Sequence, residues 1–407
     1  MSVQSLLAIT AVCVCLIALP AQAAEPLDCS DASREELNEI SAKVEAFKAK
    51  YKIPGISVAF VRNGHQQYLS YGVASVSTQV AVSPDTLFEV GSVSKTFSAT
   101  LAAYAARKRK LSLDDPVALH LPGLASAAVG RVPLWQLGTH SAGGFPLQFP
   151  AGLDNAGAMD YYMHWQPKYE GGSVRSYANP SIALLGVATA SAMKTSYRSA
   201  MQNELFPKLG LSNTWLEIPD ARAALYAQGY NAKGEPVRLE DGPFAEEAYG
   251  VRSSARDLLA FLEQNIEPAT RDRLLDQALL DTQRPYFAVG SMMQGLIWES
   301  YQYPIDPRII LDGSAPGFSL IDQKVNSTRA GLSKRAEVII NKTGGTGGFG
   351  TYVAFVPSRH VGVVILTNHA NPTVERVALG LEILEIVDRG QGVADISGTR
   401  MGAADSR

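Results

Sequence analysis

Three short stretches carry side chains whose types and spacing could do chemistry together. The first is Gly91-Ser92-Val93-Ser94-Lys95-Thr96-Phe97, which opens a helix-forming run. Residues i and i+3 lie on one helix face, so the Ser92 hydroxyl and the Lys95 ammonium share the same space. Serine is a weak nucleophile until a base takes its proton, and a lysine of lowered pKa can be that base. The positive end of the helix favours an oxyanion forming there. The second stretch is Ser176-Tyr177-Ala178-Asn179-Pro180. Asn-Pro signals a turn ahead of a helix, and a Tyr and an Asn two apart can both project into a cleft. A buried tyrosine beside a helix-capping asparagine would look the same. The third is Lys342-Thr343-Gly344-Gly345-Thr346-Gly347-Gly348-Phe349-Gly350. Its glycines let a ligand approach the backbone amides, and Lys342 adds a fixed cation. A plain flexible hairpin is the alternative. The phosphate-cradling order G-x-x-x-x-G-K is absent, because the lysine precedes the glycines. Ser-x-x-Lys recurs at Ser191/Lys194, late in an apolar helical run, and we read that copy as coincidence.

The elements that must position these residues are legible in the pattern. Leu37, Ile40, Val44, Phe47 and Tyr51 repeat at helical spacing. Residues 56–61 and 67–73 read as strands joined by the hairpin turn Asn63-Gly64. The Ser92 helix presents Phe97, Leu101, Tyr104 and Ala105 on an apolar face and ends in cations that suit a helix C-terminus. Residues 114–282 are mostly helical segments, clearest at 134–139, 181–193, 197–205 and 254–264. The pattern returns to strands at 336–341, 351–356 and 361–367, and Val377, Leu381, Leu384 and Val387 mark a closing amphipathic helix. The expected fold is α/β (α+β). Strands from both ends of the chain form one antiparallel sheet flanked by the terminal helices, beside a mainly helical region. The expected division is a signal peptide at 1–23, α/β parts at 24–90 and 286–389, a mainly helical domain at 91–285 and a flexible tail at 390–407. A site would lie at the seam.

The chain has 407 residues, a net charge of −3, 18% charged and 46% hydrophobic residues. That is an ordinary globular balance, and the dispersed Lys and Arg argue against a nucleic-acid partner. Residues 6–19 are almost wholly apolar and precede the small-x-small pattern of Ala21 and Ala23, as in a cleaved secretory leader. The run is shorter than the roughly 20 residues a membrane span needs. Of three cysteines, Cys13 and Cys15 lie in the leader and only Cys29 would remain, so no intramolecular disulfide can form. Six histidines show no metal-ligand spacing, so no metal and no cofactor are expected.

Taken together, Ser-x-x-Lys, Tyr-x-Asn and Lys-Thr-Gly resemble the motif set of penicillin-binding proteins and serine β-lactamases. The chain is similar to a class C serine β-lactamase, a periplasmic cephalosporinase, from about Leu37 to Asp388. Stretches such as Thr86–Gly91, Gly143–Gln148, Glu247–Val251 and Gln294–Glu299 carry the likeness beyond the motifs. The resemblance implies that Ser92 is acylated, that Lys95 helps activate it, and that Tyr177 and Lys342 complete a proton-handling network. It implies amide-side-chain recognition by Gln148 and Asn179, and carboxylate binding by Lys342, Thr343 and Arg376. It also implies an oxyanion hole from the Ser92 and Gly345 amides, with Gly344 and Tyr249 lining the cleft. A small β-lactam, cephalosporin or penicillin, would be the only partner, the enzyme a monomer, and its location the periplasm, with no stable membrane association. Asn341, Ala370 and Thr373 depart from the family pattern, which bears on substrate preference more than on the reaction. Two other readings stand beside this one, the first sharing Ser-x-x-Lys and Tyr-x-Asn. A D-alanyl-D-alanine carboxypeptidase of the same fold would deacylate penicillin slowly, a serine esterase of that fold often lacks the Lys-Thr-Gly present here, and a covalent β-lactam sensor would need a membrane span.

Overall fold

The computed structural model describes residues 33–240, 242–328 and 337–398. The expected signal peptide and all three cysteines lie outside these residues. Helix α1 (Arg34–Lys50) starts at Ser33, where a Ser33/Glu36 capping box satisfies two orphan amide groups. Strands β1 (Gly55–Arg62) and β2 (His65–Gly72) then form a hairpin. Its turn residues Asn63 and Gly64 have φ of 48° and 81°, the twist-matched geometry that Asn-Gly favours.

The chain leaves this sheet after β2 and returns at β3 (Phe287–Val289), β4 (Met292–Gln294) and β5 (Glu299–Gln302). Strands β6 (Ser327–Thr328), β7 (Val338–Gly345), β8 (Gly350–Val356) and β9 (Val361–Thr367) follow. Among the described residues they form one nine-stranded sheet in the order β6-β3-β4-β5-β7-β8-β9-β1-β2. The pairings are antiparallel, with Val58 opposite Ile365 on one side of β1 and Leu69 on the other. Every residue of β1, β8 and β9 is buried, so both faces of the sheet are covered. Gly380 of the closing helix (Thr373–Gly398) packs on Tyr352 and Ile365, while Ile266 of the Ala255–Ile266 helix packs on Gly362 from the other face. The closing helix continues to Gly398, past residue 390 where a tail was expected.

Helix α2 (Ser94–Arg107) is buried from Ser94 to Ala105 on all sides, not on one face as its sequence pattern suggested. It belongs to two apolar clusters at once. Phe97, Leu101 and Tyr104 join the sheet core, and Ala102 and Ala105 join the helical cluster with Leu137, Tyr162 and Leu184. Phe97 stacks on Phe261 at 4.3 Å and meets Phe206 edge-on at 5.5 Å. A helix held this way gives its N-terminus little freedom, and Ser92 sits just ahead of that N-terminus.

Candidate active site

Ser92 lies on a single 3₁₀ turn, Gly91–Val93, which leads directly into α2. Gly91 adopts φ +51°, and a Cβ there would sit 2.5 Å from the Gly345 N and O atoms. A Cβ on Gly344 would be 2.1 Å from the Val90 carbonyl oxygen. The serine turn and the end of β7 therefore touch backbone to backbone, which only glycine permits. On the other side, the Val251 amide donates to Ser94 Oγ at 3.0 Å, docking the 249–251 segment on the start of α2.

Lys95 Nζ donates to Ser92 Oγ at 2.9 Å and to the Ala248 carbonyl at 2.8 Å. Its ammonium is fully buried. Burial pulls its pKa down from 10.5 to about 8 against the pull of Tyr177, and the Lys342 ammonium adds to the fall. Tyr177 follows the extended pair Val174–Arg175, which is hydrogen-bonded to Gln323–Lys324. Lys342, Lys95 and Arg175 stand 5.1, 5.5 and 5.5 Å from its ring centroid. Burial alone would push the phenol up. The Lys342 and Lys95 ammoniums and a hydrogen bond with Ser92 outweigh it and bring Tyr177 down from 10.0 to about 8.

Lys342, Thr343, Gly344 and Gly345 lie on β7 itself, whereas the sequence pattern ended that strand at residue 341 and left them on a loop. Strand geometry fixes Lys342 opposite Val353. Its Nζ reaches the Thr343 carbonyl at 3.3 Å and lies 3.8 Å from Glu299. Glu299 also pairs with the buried Arg175 at 2.7 Å. Three cations thus face one carboxylate around Tyr177, so the site favours an added negative charge. Asn341 turns away from the cleft and donates to the Glu299 carbonyl at 3.1 Å.

These residues open on a cleft of about 980 Å³ between sheet and helical region. Ser92, Gln148, Tyr177, Asn179, Tyr249 and Lys342 to Gly345 line it, as do Glu299 and Thr373. Asn179 Nδ2 donates to Gln148 Oε1 at 2.8 Å, leaving its own Oδ1 buried without a partner. The cap of the Asn179–Met193 helix is Ala178, so Asn179 is free of the capping role. Arg376 is the exception among the expected residues, because it does not line the cleft. It is 1% exposed, lies behind β7, and donates to the Gly344 carbonyl at 3.0 Å and Asn371 Oδ1 at 2.6 Å. Burial lowers its pKa to about 10. Ser191 and Lys194 do not form a second site: Ser191 donates to the His120 carbonyl at 2.7 Å, and Lys194 is a left-handed helix cap.

The sequence reading did not find Arg175, Glu299 in its charge role, or His140. The His140 ring packs 4.3 Å from that of Tyr177. Burial, then Arg175, Lys95 and Lys342, hold it well below its ordinary pKa, so it is neutral at pH 7. Its Nδ1 accepts from the Ala178 amide at 3.2 Å, which leaves the proton on Nε2. The Arg175 signal was its position two residues before Tyr177; His140 had none. A larger cavity of about 1400 Å³ lies at the far end of α2, and none of the expected site residues lines it.

A family model described as Beta-lactamase matches residues 40–388. A beta-lactamase of Pseudomonas fluorescens is 42% identical over 86% of this chain and 98% of its own length. A crystal structure of a beta-lactamase/D-alanine carboxypeptidase from Pseudomonas syringae is 45% identical. It superposes with a TM-score of 0.84, covering 86% of this chain and 99% of that one. A class C beta-lactamase from Rhodobacter sphaeroides is 40% identical, with a TM-score of 0.82 and coverage of 86% and 99%.

Proposed function

The chain belongs to the beta-lactamase family, and we propose that it is a class C serine β-lactamase that works through an acyl-enzyme on Ser92. The observation that carries the residue assignment is the 2.9 Å contact between Lys95 and Ser92 inside a cleft, beside a phenol held between two ammoniums. Ser92 Oγ attacks the β-lactam carbonyl carbon. The Oγ–C bond forms, the ring C–N bond breaks, and the serine proton passes through the Lys95–Tyr177 pair to the leaving nitrogen. Burial draws Lys95 down and the neighbouring ammoniums draw Tyr177 down, so both hold a proton less tightly than usual near neutral pH. The Ser92 and Gly345 amides hold the developing oxyanion, and losing one such donor typically costs about 3 kcal/mol. Water then attacks the ester with Tyr177 as base and releases the acid.

Lys342 and Thr343 receive the substrate carboxylate in the cationic part of the cleft, and Asn179 with Gln148 receives the amide side chain. Arg376 acts one step back by holding Gly344. The leader directs the enzyme to the periplasm. Among the described residues no helix is long and apolar enough to cross a membrane.

The test is turnover of a chromogenic cephalosporin by purified protein. Ser92→Ala abolishes it, and intact-mass analysis of the unsubstituted enzyme finds a transient adduct that the variant lacks. Undiminished turnover by Ser92→Ala would end the assignment. The second name on the Pseudomonas syringae relative favours a D-alanine carboxypeptidase as the other reading. Rapid release of the penicillin adduct excludes it, and a long-lived adduct with D-alanine release from a peptide supports it.

A further inference from the structure

Glu89 is fully buried three residues before Ser92, and among the described residues no cation is hydrogen-bonded to it. Three donors converge on its carboxylate instead. The Tyr226 hydroxyl at 2.5 Å and the Leu239 amide at 2.9 Å donate to Oε1. The Thr346 hydroxyl donates to Oε2 at 2.6 Å. Each donor belongs to a different piece of the site. Thr346 directly follows Gly345, and Leu239 belongs to the 237–240 strap along the cleft. Tyr226 is held under Arg238, whose guanidinium lies 3.6 Å from its ring centroid. Glu89 itself lies on the two-residue strand Phe88–Glu89 that delivers the serine turn.

We propose that Glu89 is a positioning residue which, through Thr346, fixes the Gly345 amide relative to the Ser92 amide and so sets the geometry of the oxyanion hole. This deepens the acyl-enzyme reading and rests on it. The serine turn and the Gly344–Gly345 backbone meet in van der Waals contact, which limits how close they come but does not hold them together. The Glu89–Thr346 hydrogen bond spans that contact. A carboxylate acceptor makes it a charge-assisted bond, stronger and stiffer than a neutral one. Burying a charged group in this place is unfavourable unless it is hydrogen-bonded, and here both carboxylate oxygens accept hydrogen bonds. Oxyanion-hole donors act through preorganisation, so a small displacement of one amide lowers turnover without weakening ground-state binding.

The experiment compares Thr346→Val, Glu89→Ala, their double variant and Glu89→Gln with the parent enzyme. Steady-state kinetics on a chromogenic cephalosporin is set against binding of phenylboronic acid, whose tetrahedral adduct on Ser92 places an oxygen in the hole. Thr346→Val removes one hydroxyl and leaves Tyr226 and Leu239 paired. Its kcat falls by about tenfold or more, KM stays within about threefold, and boronate affinity falls by the same factor as kcat. The double variant falls no further than Glu89→Ala, because both break one link. Glu89→Gln keeps most of the activity, since its amide accepts from Tyr226 and donates to Thr346. The inference is overturned if Thr346→Val holds kcat and boronate affinity within about twofold, or if the two losses add in the double variant. Should Ser92→Ala retain turnover, the acyl-enzyme reading fails first. Should it lose turnover while Thr346→Val does not, the positioning role alone fails.

Discussion

Glu247 offers a sharp thermodynamic test of the packing behind the site. Its side chain is wedged beneath the Asn179–Met193 helix, where Gly186 leaves room for it; a Cβ on Gly186 would come within 2.7 Å of the glutamate Cγ. Burial pushes its carboxyl from 4.5 up to about 7, Glu246 adds to the rise, and Arg198 opposes it. At about 1.4 kcal/mol for each tenfold change in proton affinity, the charged form costs the folded state roughly 3 kcal/mol. Below pH 4.5 both folded and unfolded chains hold the proton, and the cost is absent. Between 4.5 and about 7 the folded chain keeps a proton that the unfolded chain has released, so stability falls as pH rises. Above about 7 the full deficit remains. Glu247→Gln removes the charge at nearly constant volume. Its unfolding free energy, measured by urea titration with tryptophan fluorescence, should exceed the parent's by up to about 3 kcal/mol at pH 8 and match it within about 0.5 kcal/mol at pH 4.5. An equal gain at both pH values, or a loss at pH 8, would refute the reasoning. The backbone at this point makes the result relevant to catalysis. The Glu247 carbonyl accepts from Ser98 at 2.6 Å, and the next carbonyl, Ala248, accepts from Lys95.

Other outcomes follow from the site's charges and backbone contacts. Removing Lys342 takes away the cation that lowers Tyr177 and also one that lowers Lys95, so both rise. The acid limb of kcat/KM for Lys342→Ala should therefore move to higher pH than in the parent; an unmoved or lowered limb in a pH–rate profile contradicts this. Gly91→Ala forces a Cβ into the Gly345 backbone in a left-handed conformation. It should reduce kcat about a hundredfold or more while the purified protein stays folded by circular dichroism, and activity within about threefold of the parent would contradict it.

Much of the fold was legible because its signals are local. Asn63-Gly64 between two β-rich runs specifies a hairpin, and residues 361–367 form the strand their apolar pattern predicted. The short strands β3 to β6 escaped because segments of two to four residues carry little periodicity and owe their pairing to neighbours. The end of β7 was misread for the opposite reason. Glycines that look like a loop locally are held in a strand by pairing with residues 350–353 of β8. In the site, the motif residues were visible because each carries its chemistry in its type. Arg376 has the right type, but its direction is decided by a tertiary contact with Gly344 that no spacing encodes. Glu89 and His140 were silent for a related reason. A buried carboxylate and a neutral imidazole become functional candidates only once their neighbours are known.

Strand β1 occupies the interior of the sheet, yet one of its two neighbours, β9, is the last strand in chain order among the described residues. Without β9, β1 would keep β2 as its one neighbour and have one unpaired edge. Chain order therefore splits the site: its serine and its strand-borne cation come from opposite ends of the chain and meet only through the completed sheet. Ser92 lies in the first quarter of the polypeptide, whereas Lys342, which lowers both Lys95 and Tyr177, is carried near its end on β7.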